Sequence, residues 1–285
     1  MRIAYLDCFA GISGNMVLAA LLDCGLELTR LEAELQKLGL EGTKIVANEV
    51  RRHGLRATHV EVQAEEQHAH RHLHDIQAIV EGSGLPSAVK ARCLSVFQRL
   101  AEAEARVHGT PVDHVHFHEV GALDAIVDIV GSVAGFWLLE VEQVYASYVH
   151  VGRGTVRCAH GIIPVPAPAT AELLKGVPIY GRDVDAELVT PTGAAILTTL
   201  AAGYGGGPAM RVEQIGYGAG SRELPFPNLL RVCIGEALEP VAGAGPAAGE
   251  DQTCAGGHQH GGDDAGHHQH GGDDVGHQQH PAPHA

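Results

Sequence analysis

Apolar and polar residues follow two periodicities up to Pro240, one typical of strands and one typical of helices. A short apolar run at 2–9 predicts a buried strand, and apolar residues three and four positions apart at 28–38 predict a helix. The same patterns predict helices at 14–24, 73–81, 86–107, 122–139 and from about 190, strands at 44–50 and 57–62 joined through His53-Gly54, short strands and loops over 143–190, and strands at 209–217 and 229–234. Strands and helices mix without strict alternation, so the predicted fold class is α+β (mixed α/β), a mixed sheet with packed helices.

The pattern changes sharply after Pro240, where the chain contains no Lys, Arg, Phe, Trp or Tyr. Such a segment cannot bury enough apolar surface to offset its ordering entropy. We therefore predict a globular body at 1–240 and a disordered tail rich in His, Gly and Asp at 241–285. The tail repeats every ten residues, with His260, His270 and His280 in register. This composition is typical of metal binding, and a passive solubilising tail is the alternative.

Composition and charge exclude several classes of protein. The 285 residues carry a formal net charge of −15 and only 4% aromatic residues, so a nucleic-acid-binding protein is not expected. No apolar run is long enough to span a bilayer, and the N-terminus does not resemble a signal peptide. The six cysteines are scattered without a CxxC pair, which predicts reduced thiols and a cytoplasmic protein. The oligomeric state stays open, a homo-oligomer included.

Histidine is the unusual residue of the body, and its first cluster lies just before a predicted helix. His68, His70, His72 and His74 alternate along the chain. An extended segment would place all four on one face, whereas a helix would align only His70 with His74. Either geometry offers two or more imidazoles to one metal ion. A solvated loop is the alternative.

A second cluster occupies 113–131. His114, His116 and His118 alternate with apolar residues, which predicts three imidazoles on one face. Glu119 follows directly, and Asp124 and Asp128 are spaced to share one face of the next helix. Imidazoles with carboxylates suit Ni, Zn, Cu or Fe, so these residues are candidate metal ligands. A capped helix with a polar face is the alternative.

Three further segments are candidate anion sites. Asp7 ends the first strand, and a turn containing Gly11, Ser13, Gly14 and Asn15 leads into a helix whose backbone N–H groups would attract phosphate. Thr190 is a predicted N-cap with Thr192 in the first turn of the following helix. A glycine-rich turn at 216–222 ends in Arg222. Ordinary structural turns are the alternative for all three.

Six motifs occur together in a fixed order: DCFAGISGNM, HAHRHLHDI, VHFHEVGALDAIVDIVG, RGTVRCAHGIIPVPAPAT, ELVTPTGAAIL and GYGAG. In this order they resemble the LarC family, the nickel insertion proteins of the lactate racemase cofactor pathway. The resemblance runs from Met1 to about Glu236. It implies a nickel-inserting cyclometallase, or lyase, that places Ni(II) in pyridinium-3,5-bisthiocarboxylic acid mononucleotide. It also implies a reaction driven by CTP with Mn(II) or Mg(II), and delivery of the product to lactate racemase or a related apo-enzyme.

Forming a metal–carbon bond requires loss of a ring proton, so a base is expected near the metal. We assign catalysis to Asp7, His118, Glu119 and Asp124. Substrate binding falls to Gly11, Ser13, Gly14, Asn15, Thr190, Thr192 and Arg222. Metal binding falls to the histidines and carboxylates of the two clusters and to the tail histidines.

Two departures from the family pattern bear on this assignment. Asn15 stands where the family usually has Asp. The globular pattern stops near Pro240, whereas family members usually continue into a domain that resembles the CTP-binding part, so a separate C-terminal half is expected. A nickel chaperone or storage protein without its own catalysis is the alternative function. A phosphate-ester hydrolase that uses Asp7 is a third.

Overall fold

The computed structural model describes residues 1–40, 42–64, 71–115, 123–158, 160–182 and 184–238. These residues belong to a unit that spans Met1–Pro240. The predicted tail and its three candidate ligands (His260, His270 and His280) lie outside the described residues, as do His68, His70, His116, His118 and Glu119.

Helices and strands are mixed along the described chain, as the hydropathy pattern predicts. The helices are α1 (Gly14–Asp23), α2 (Leu28–Gln36), α3 (Leu73–Gly82), α4 (Ser87–His108), α5 (Leu123–Leu138), α6 (Pro168–Leu173) and α7 (Pro191–Leu200), with a 3-10 turn at Val112–His114. The strands are β1 (Arg2–Asp7), β2 (Thr43–Arg52), β3 (Leu55–Ala64), β4 (Gln143–Ala146), β5 (Val149–His150), β6 (Thr155–Cys158), β7 (Gly161–Pro164), β8 (Ile179–Tyr180), β9 (Ala201–Tyr204), β10 (Met210–Ala219) and β11 (Leu229–Ala237).

A seven-stranded sheet in the order β2-β3-β10-β11-β1-β4-β9 forms the framework. Strands β1, β4 and β9 are parallel neighbours, while β11 runs antiparallel to both β1 and β10. The sheet is therefore mixed, and the predicted architecture of a mixed sheet with packed helices is confirmed. Two small two-stranded sheets, β5 with β8 and β6 with β7, complete the strands.

Helix α1 lies unusually close to the sheet because β10 presents glycines to it. A Cβ atom on Gly218 would lie 1.9 Å from the Met16 carbonyl oxygen, and one on Gly216 would lie 2.2 Å from that of Ala20. No side chain fits at either position without displacing the helix. We expected the strand at 209–217 to pass into a glycine-rich turn at 216–222, so that Gly218 would lie in the turn. That expectation is wrong, because both glycines lie inside a strand and serve this close approach.

On its other side α1 packs against α5, which is the most deeply buried helix of the body. A Cβ atom on Gly131 would lie 3.1 Å from the side chain of Leu18, and one on Gly135 would lie 2.9 Å from that of Leu21. Small residues at these positions let the two helices approach closely. The position of α5 relative to α1 is therefore set by leucine side chains of α1 that pack against the backbone of α5 at these glycines.

Two local predictions need correction. The proline-rich stretch at 164–170 lies in the region predicted to hold only short strands and loops, but helix α6 begins at Pro168, because proline suits the first turn of a helix. Ser13 stands at the N-cap of α1 with extended backbone, but its side chain makes no capping hydrogen bond. Its hydroxyl instead donates to the side-chain oxygen of Asn15 at 2.6 Å. The hairpin through His53 and Gly54 is confirmed, and both residues have positive φ.

Five cysteines of the described chain are free thiols. Cys8, Cys24 and Cys93 are buried, and burial raises the pKa of the Cys24 and Cys93 thiols to about 12. These three are therefore poor metal ligands and nucleophiles at neutral pH. Within the described residues, no helix is both long enough and apolar enough to cross a membrane.

Candidate functional site

The first site element is the turn between β1 and α1. Gly11 has φ +84°, and a Cβ atom there would lie 1.9 Å from the Leu188 carbonyl oxygen. The neighbouring Ile12 N–H donates to that same oxygen at 2.9 Å, and the Thr190 N–H donates to the Ile12 carbonyl at 3.1 Å. This paired backbone contact joins the N-terminal ends of α1 and α7. The sequence motifs around Gly11 and Thr190 therefore lie next to each other in the fold.

Helix α7 begins as predicted. Thr190 is its N-cap, and the Thr190 hydroxyl accepts a hydrogen bond from the Gly193 N–H at 3.1 Å. A Cβ atom on Gly193 would lie 2.4 Å from the Ile12 carbonyl oxygen, so the two helix N-termini touch through backbone. This contact places Thr192 beside Gly14: a Cβ atom on Gly14 would lie 2.8 Å from the Thr192 methyl carbon.

Asp128 of α5 completes this junction. A Cβ atom on Gly14 would lie 2.8 Å from the Asp128 carboxylate, and the Asn15 backbone N–H donates to that carboxylate. The other carboxylate oxygen, Oδ1, is buried and has no hydrogen-bond partner. The junction of α1, α5 and α7 thus holds an acidic oxygen that is free to take a proton or a metal ion. We name Gly14, Asn15, Asp128, Thr190 and Thr192 the helix junction.

The electrostatics of Asp128 are unusual for a carboxyl group. Burial, and secondly the charge of Asp124 one helical turn earlier, raise the pKa of Asp128 to about 8, although the Asn15 N–H opposes this rise. An acid with a pKa in this range exchanges protons readily near neutral pH, which suits a general base. Asp124 itself is exposed, and its carboxylate accepts the Ala125 N–H at 2.8 Å.

The predicted anion site on α1 is partly filled by the protein itself. The Asn15 N–H is taken by Asp128, and on α7 the Gly193 N–H is taken by Thr190. Each helix N-terminus therefore has an internal partner for one of its free donors. Arg222, the third expected anion contact, is exposed on the loop after β10, and its carbonyl accepts from the Asn228 side chain at 2.9 Å.

The two predicted histidine clusters lie side by side where the chain is described. His72 is the N-cap of α3, and its Nδ1 lies 3.2 Å from the Val115 carbonyl oxygen, next to His114. The rings of His72 and His74 stack with centroids 5.4 Å apart, and His74 Nε2 lies 3.1 Å from the Asp75 carboxylate. The segments carrying both clusters are thus tied together.

The alternation expected at 114–118 can be compared with the structure only at its first two residues, and His116, Phe117 and His118 lie outside the described residues. His114 is exposed and closes a 3-10 turn that follows Pro111, because proline favours the start of a helical turn over an extended segment. Val115 is buried, as expected for the apolar face. Among the side chains that the structure describes, no three of His, Cys, Asp or Glu are grouped so that they could hold a metal ion.

Asp7, the predicted catalytic acid of β1, has a different neighbourhood from Asp128. Its carboxylate pairs with Arg231 of β11 at 2.5 Å, and it lines a cavity together with Tyr148, Tyr180 and Arg182. The predicted catalytic residues that the structure describes therefore lie at two separate places in the fold. Asp124 lies on α5, one turn before the predicted metal ligand Asp128, while Asp7 lies at the carboxyl end of β1.

Comparison with known proteins decides the family. A family model described as nickel insertion protein matches residues 4–260. The chain belongs to the nickel insertion protein family. It is 54% identical over 243 residues to the pyridinium-3,5-bisthiocarboxylic acid mononucleotide nickel insertion protein of Desulfitobacterium hafniense strain DSM 10664 / DCB-2. It is equally identical, over the same length, to the protein of that name in strain Y51.

In both cases the matched region covers 85% of this chain and 60% of the relative. This member of the nickel insertion protein family thus spans three fifths of the length of the curated relatives it matches. No solved structure matches the chain significantly.

Sequence reasoning missed one buried histidine of this family member. His150 donates from Nδ1 to the Phe9 carbonyl at 3.0 Å and accepts the Arg182 N–H at Nε2 at 3.1 Å. Burial lowers the pKa of His150, so the neutral ring is favoured. It therefore fixes the turn after β1 against the segment at Arg182. In the sequence His150 stands by itself among mostly apolar neighbours, so no local pattern indicated this role.

Sequence reasoning also missed a contact between side chains on separate elements. The His108 ring at the end of α4 lies 5.1 Å from the His160 ring, centroid to centroid, and Cys158 Sγ lies 3.9 Å from His160 Nδ1. Because His108 and His160 are distant in sequence, spacing could not have grouped them.

Replacing Thr190 with Ala should weaken the junction. The Gly193 N–H would lose its acceptor, and the loss of an N-cap typically costs about 1 kcal/mol in the free energy of unfolding. Thr190→Ser keeps the hydroxyl and should behave as the wild type. Urea denaturation of both variants checks this, and equal midpoints for Ala and Ser would contradict a capping role.

Proposed function

We propose that this chain inserts Ni(II) into pyridinium-3,5-bisthiocarboxylic acid mononucleotide, forming the nickel-pincer cofactor by CTP-dependent cyclometallation. The observation that carries the proposal is the free carboxylate oxygen of Asp128 at the contact of three helices. Membership in the family and the name of the D. hafniense relatives support the same substrate. The activity belongs to the lyase class, as a cyclometallase.

The chemistry needs a nickel-binding set and a proton acceptor. In the reaction the ring C–H bond is replaced by a carbon–nickel bond, the bonding pair goes to nickel, and the proton goes to a base of the protein. We assign nickel binding to the histidine clusters with Asp124 and Asp128, since neutral imidazole and carboxylate suit Ni(II). Asp128 is the assigned proton acceptor because its Oδ1 has no hydrogen-bond partner, and with a pKa of about 8 its ionised form, which accepts the proton, becomes more abundant as the pH rises towards that value.

The remaining assignments follow the sequence expectations. His118, Glu119 and Asp7 stay candidate catalytic groups, and the tail histidines stay a candidate nickel store. CTP with Mn(II) or Mg(II) drives the proposed reaction, and no described residue is assigned to CTP. We propose a cytoplasmic protein, and a separate part that carries the CTP site is the alternative to CTP use by this chain alone. The protein delivers its product to lactate racemase or a related apo-enzyme.

The repeated histidines of the tail favour one second function, a nickel chaperone or storage protein without catalysis. Such a protein would bind nickel through the tail and would not need Asp128. The two functions therefore differ in whether the mononucleotide is changed.

Mass spectrometry of the mononucleotide tests the proposal. The full chain is loaded with Ni(II), mixed with the bisthiocarboxylated pyridinium mononucleotide, and incubated with CTP and Mn(II). We expect a product that has gained one nickel and lost the displaced protons. Matched reactions without CTP, and with Zn(II) in place of Ni(II), should leave the substrate mass unchanged.

Two other outcomes would contradict insertion by this chain. Unchanged mononucleotide with nickel retained by the protein would mean either a chaperone or storage protein or a half-enzyme that needs a separate CTP-binding part. Release of inorganic phosphate from the mononucleotide would favour a phosphate-ester hydrolase.

A further inference from the structure

A cavity of about 540 Å³ opens at the carboxyl ends of three parallel strands. Asp7 ends β1, Ser147 and Tyr148 follow β4, and Gly205 and Gly206 follow β9. The carboxyl ends of parallel strands are where ligands bind in open α/β sheets. The volume is in the range of small-molecule sites. We name this space the strand-end cavity.

The walls of the strand-end cavity are held by hydrogen bonds before any ligand arrives. The Tyr5 hydroxyl donates to the Gly205 carbonyl at 2.7 Å, and the Gly205 N–H donates to the Ala146 carbonyl at 2.8 Å. Ser147 Oγ accepts the Cys8 N–H at 2.9 Å and donates to the Tyr148 carbonyl at 2.8 Å. A wall fixed in this way loses little conformational freedom on binding.

Two tyrosines line the cavity, and they differ in their partners. Tyr180 stacks on the buried His150 ring at 4.8 Å with an interplanar angle of 2°, and the Arg182 guanidinium lies 5.3 Å from its ring centroid. Tyr148 is 59% exposed and has no ring partner among the described residues. A large exposed aromatic residue beside a preformed cavity offers a flat surface for a planar ligand.

The charges of the cavity point to an anionic group on the same ligand. The Asp7 carboxylate is paired with Arg231. Arg182 is exposed, and no carboxylate in the described part of the chain forms an ion pair with it. A free guanidinium binds phosphate and carboxylate through paired hydrogen bonds. Phosphate was expected at the helix N-termini, but Asp128 and Thr190 already accept hydrogen bonds from donors there. The Arg182 guanidinium therefore offers a different place for an anionic group.

We infer that the strand-end cavity is the binding site for the ring of a pyridinium mononucleotide. The cationic ring stacks on Tyr148, and an acidic group of the nucleotide binds Arg182. Electron-rich aromatic faces attract organic cations, so the positive ring suits a tyrosine better than a neutral ring does. The inference rests on the proposed function for the identity of the ligand. It adds a site that none of the sequence motifs indicated.

Calorimetric binding to the full chain, without nickel or CTP, tests the inference. The probe is nicotinic acid mononucleotide, a pyridinium mononucleotide that carries both a carboxylate and a phosphate. Tyr148→Ala should weaken binding about 10-fold, as expected when a stacking partner is lost, while Tyr148→Phe should bind as the wild type does. Arg182→Gln should weaken binding by about 10-fold as well.

Two variants that each add a side chain test whether the probe binds in the cavity or elsewhere on the surface. Gly206 lines the cavity, and a side chain there meets open space, so Gly206→Leu should fill the cavity and block the probe. Gly82 also faces open space but lies at the end of α3, so Gly82→Leu should bind normally. Ribose 5-phosphate lacks the ring, so it should bind to the wild type more weakly than the mononucleotide does. Its affinity for Tyr148→Ala should equal its affinity for the wild type.

The results separate this inference from the proposed function. Failure of the wild type to bind the probe, or unchanged binding in Tyr148→Ala, Arg182→Gln and Gly206→Leu, would overturn the ring site. If Tyr148→Ala inserts nickel with an unchanged KM for the mononucleotide, the site is wrong while the function stands. If the wild type binds the probe as expected but inserts no nickel, the site stands and the proposed function fails.

Discussion

Replacing Asp128 with Asn should lower the rate of nickel insertion about 100-fold or more, because a general base typically contributes at least that factor. Asn keeps the shape of the side chain and an oxygen that can accept the Asn15 N–H. It cannot take up the ring proton, and it is a poorer ligand for Ni(II) than a carboxylate. Nickel insertion followed by mass spectrometry measures the loss.

The same substitution should stabilise the protein above neutral pH. The pKa of Asp128 is raised from 3.8 to about 8 in the folded chain. Between these values the folded chain keeps a proton that the unfolded chain has released, so stability falls as the pH rises through this window. Asn has no ionisable group, so Asp128→Asn does not lose stability in this way. We therefore expect Asp128→Asn to melt at a higher temperature than the wild type, by at least about 2 °C at pH 9 and with little difference at pH 4.

Thermal unfolding at pH 4, 7 and 9, without metal, checks this expectation. Glu61→Gln is the matched control, because Glu61 is exposed on β3 outside both histidine clusters, and it should change neither activity nor the pH dependence. An Asp128→Asn protein that is both fully active and no more stable at pH 9 would remove Asp128 from the proposed mechanism.

Gly218→Ala should destabilise the body by about 3 kcal/mol, at the upper end of what overpacking usually costs. The new methyl group would lie 1.9 Å from the Met16 carbonyl oxygen and 2.8 Å from the Ala20 nitrogen. Both are backbone atoms of α1, so no side chain can rotate away and the whole helix must shift. The shift would also move Gly14 and Asn15 away from Asp128, and nickel insertion should fall with stability.

Gly203→Ala provides the comparison for this substitution. Gly203 lies in β9 of the same sheet, and a Cβ atom there would only meet the Tyr145 ring at 3.5 Å, an ordinary contact. Guanidinium denaturation should show a loss of less than about 1 kcal/mol for Gly203→Ala. Similar losses for the two variants would mean that α1 can move away from the sheet at little cost.

Elements with a strong local signal were predictable from sequence. Helices α4 and α5 have long apolar faces, and Thr190 followed by Pro191 gave the start of α7 correctly. Helix α6 was missed because its six residues lie in a proline-rich stretch. The glycines of β10 were misread because the reason for them is the approach of α1, some 200 positions earlier. A hydropathy pattern contains no information on such a contact.

The candidate site was predictable in its residue types and not in its grouping. Asp128 and Thr192 were both nominated, but for different tasks, and the structure brings them together at Gly14. Asp7 was nominated with the metal cluster, and the structure pairs it with Arg231 instead. His150 was overlooked because its role depends on the Phe9 carbonyl and the Arg182 N–H, which no sequence spacing relates.

The backbone pairing of Ile12 with Leu188 and Thr190 has a consequence for how the protein is made. A ribosome delivers Ile12 and Asp128 long before it delivers Leu188, and strands β10 and β11, which hold α1 in place, come later still. Histidines at 72, 74 and 114 therefore leave the ribosome while the helix junction still lacks two of its three helices, α5 and α7. On the proposed function, a nascent or truncated chain would carry these candidate nickel ligands without a complete helix junction. The helix junction can therefore be complete only after almost the whole body has been synthesised.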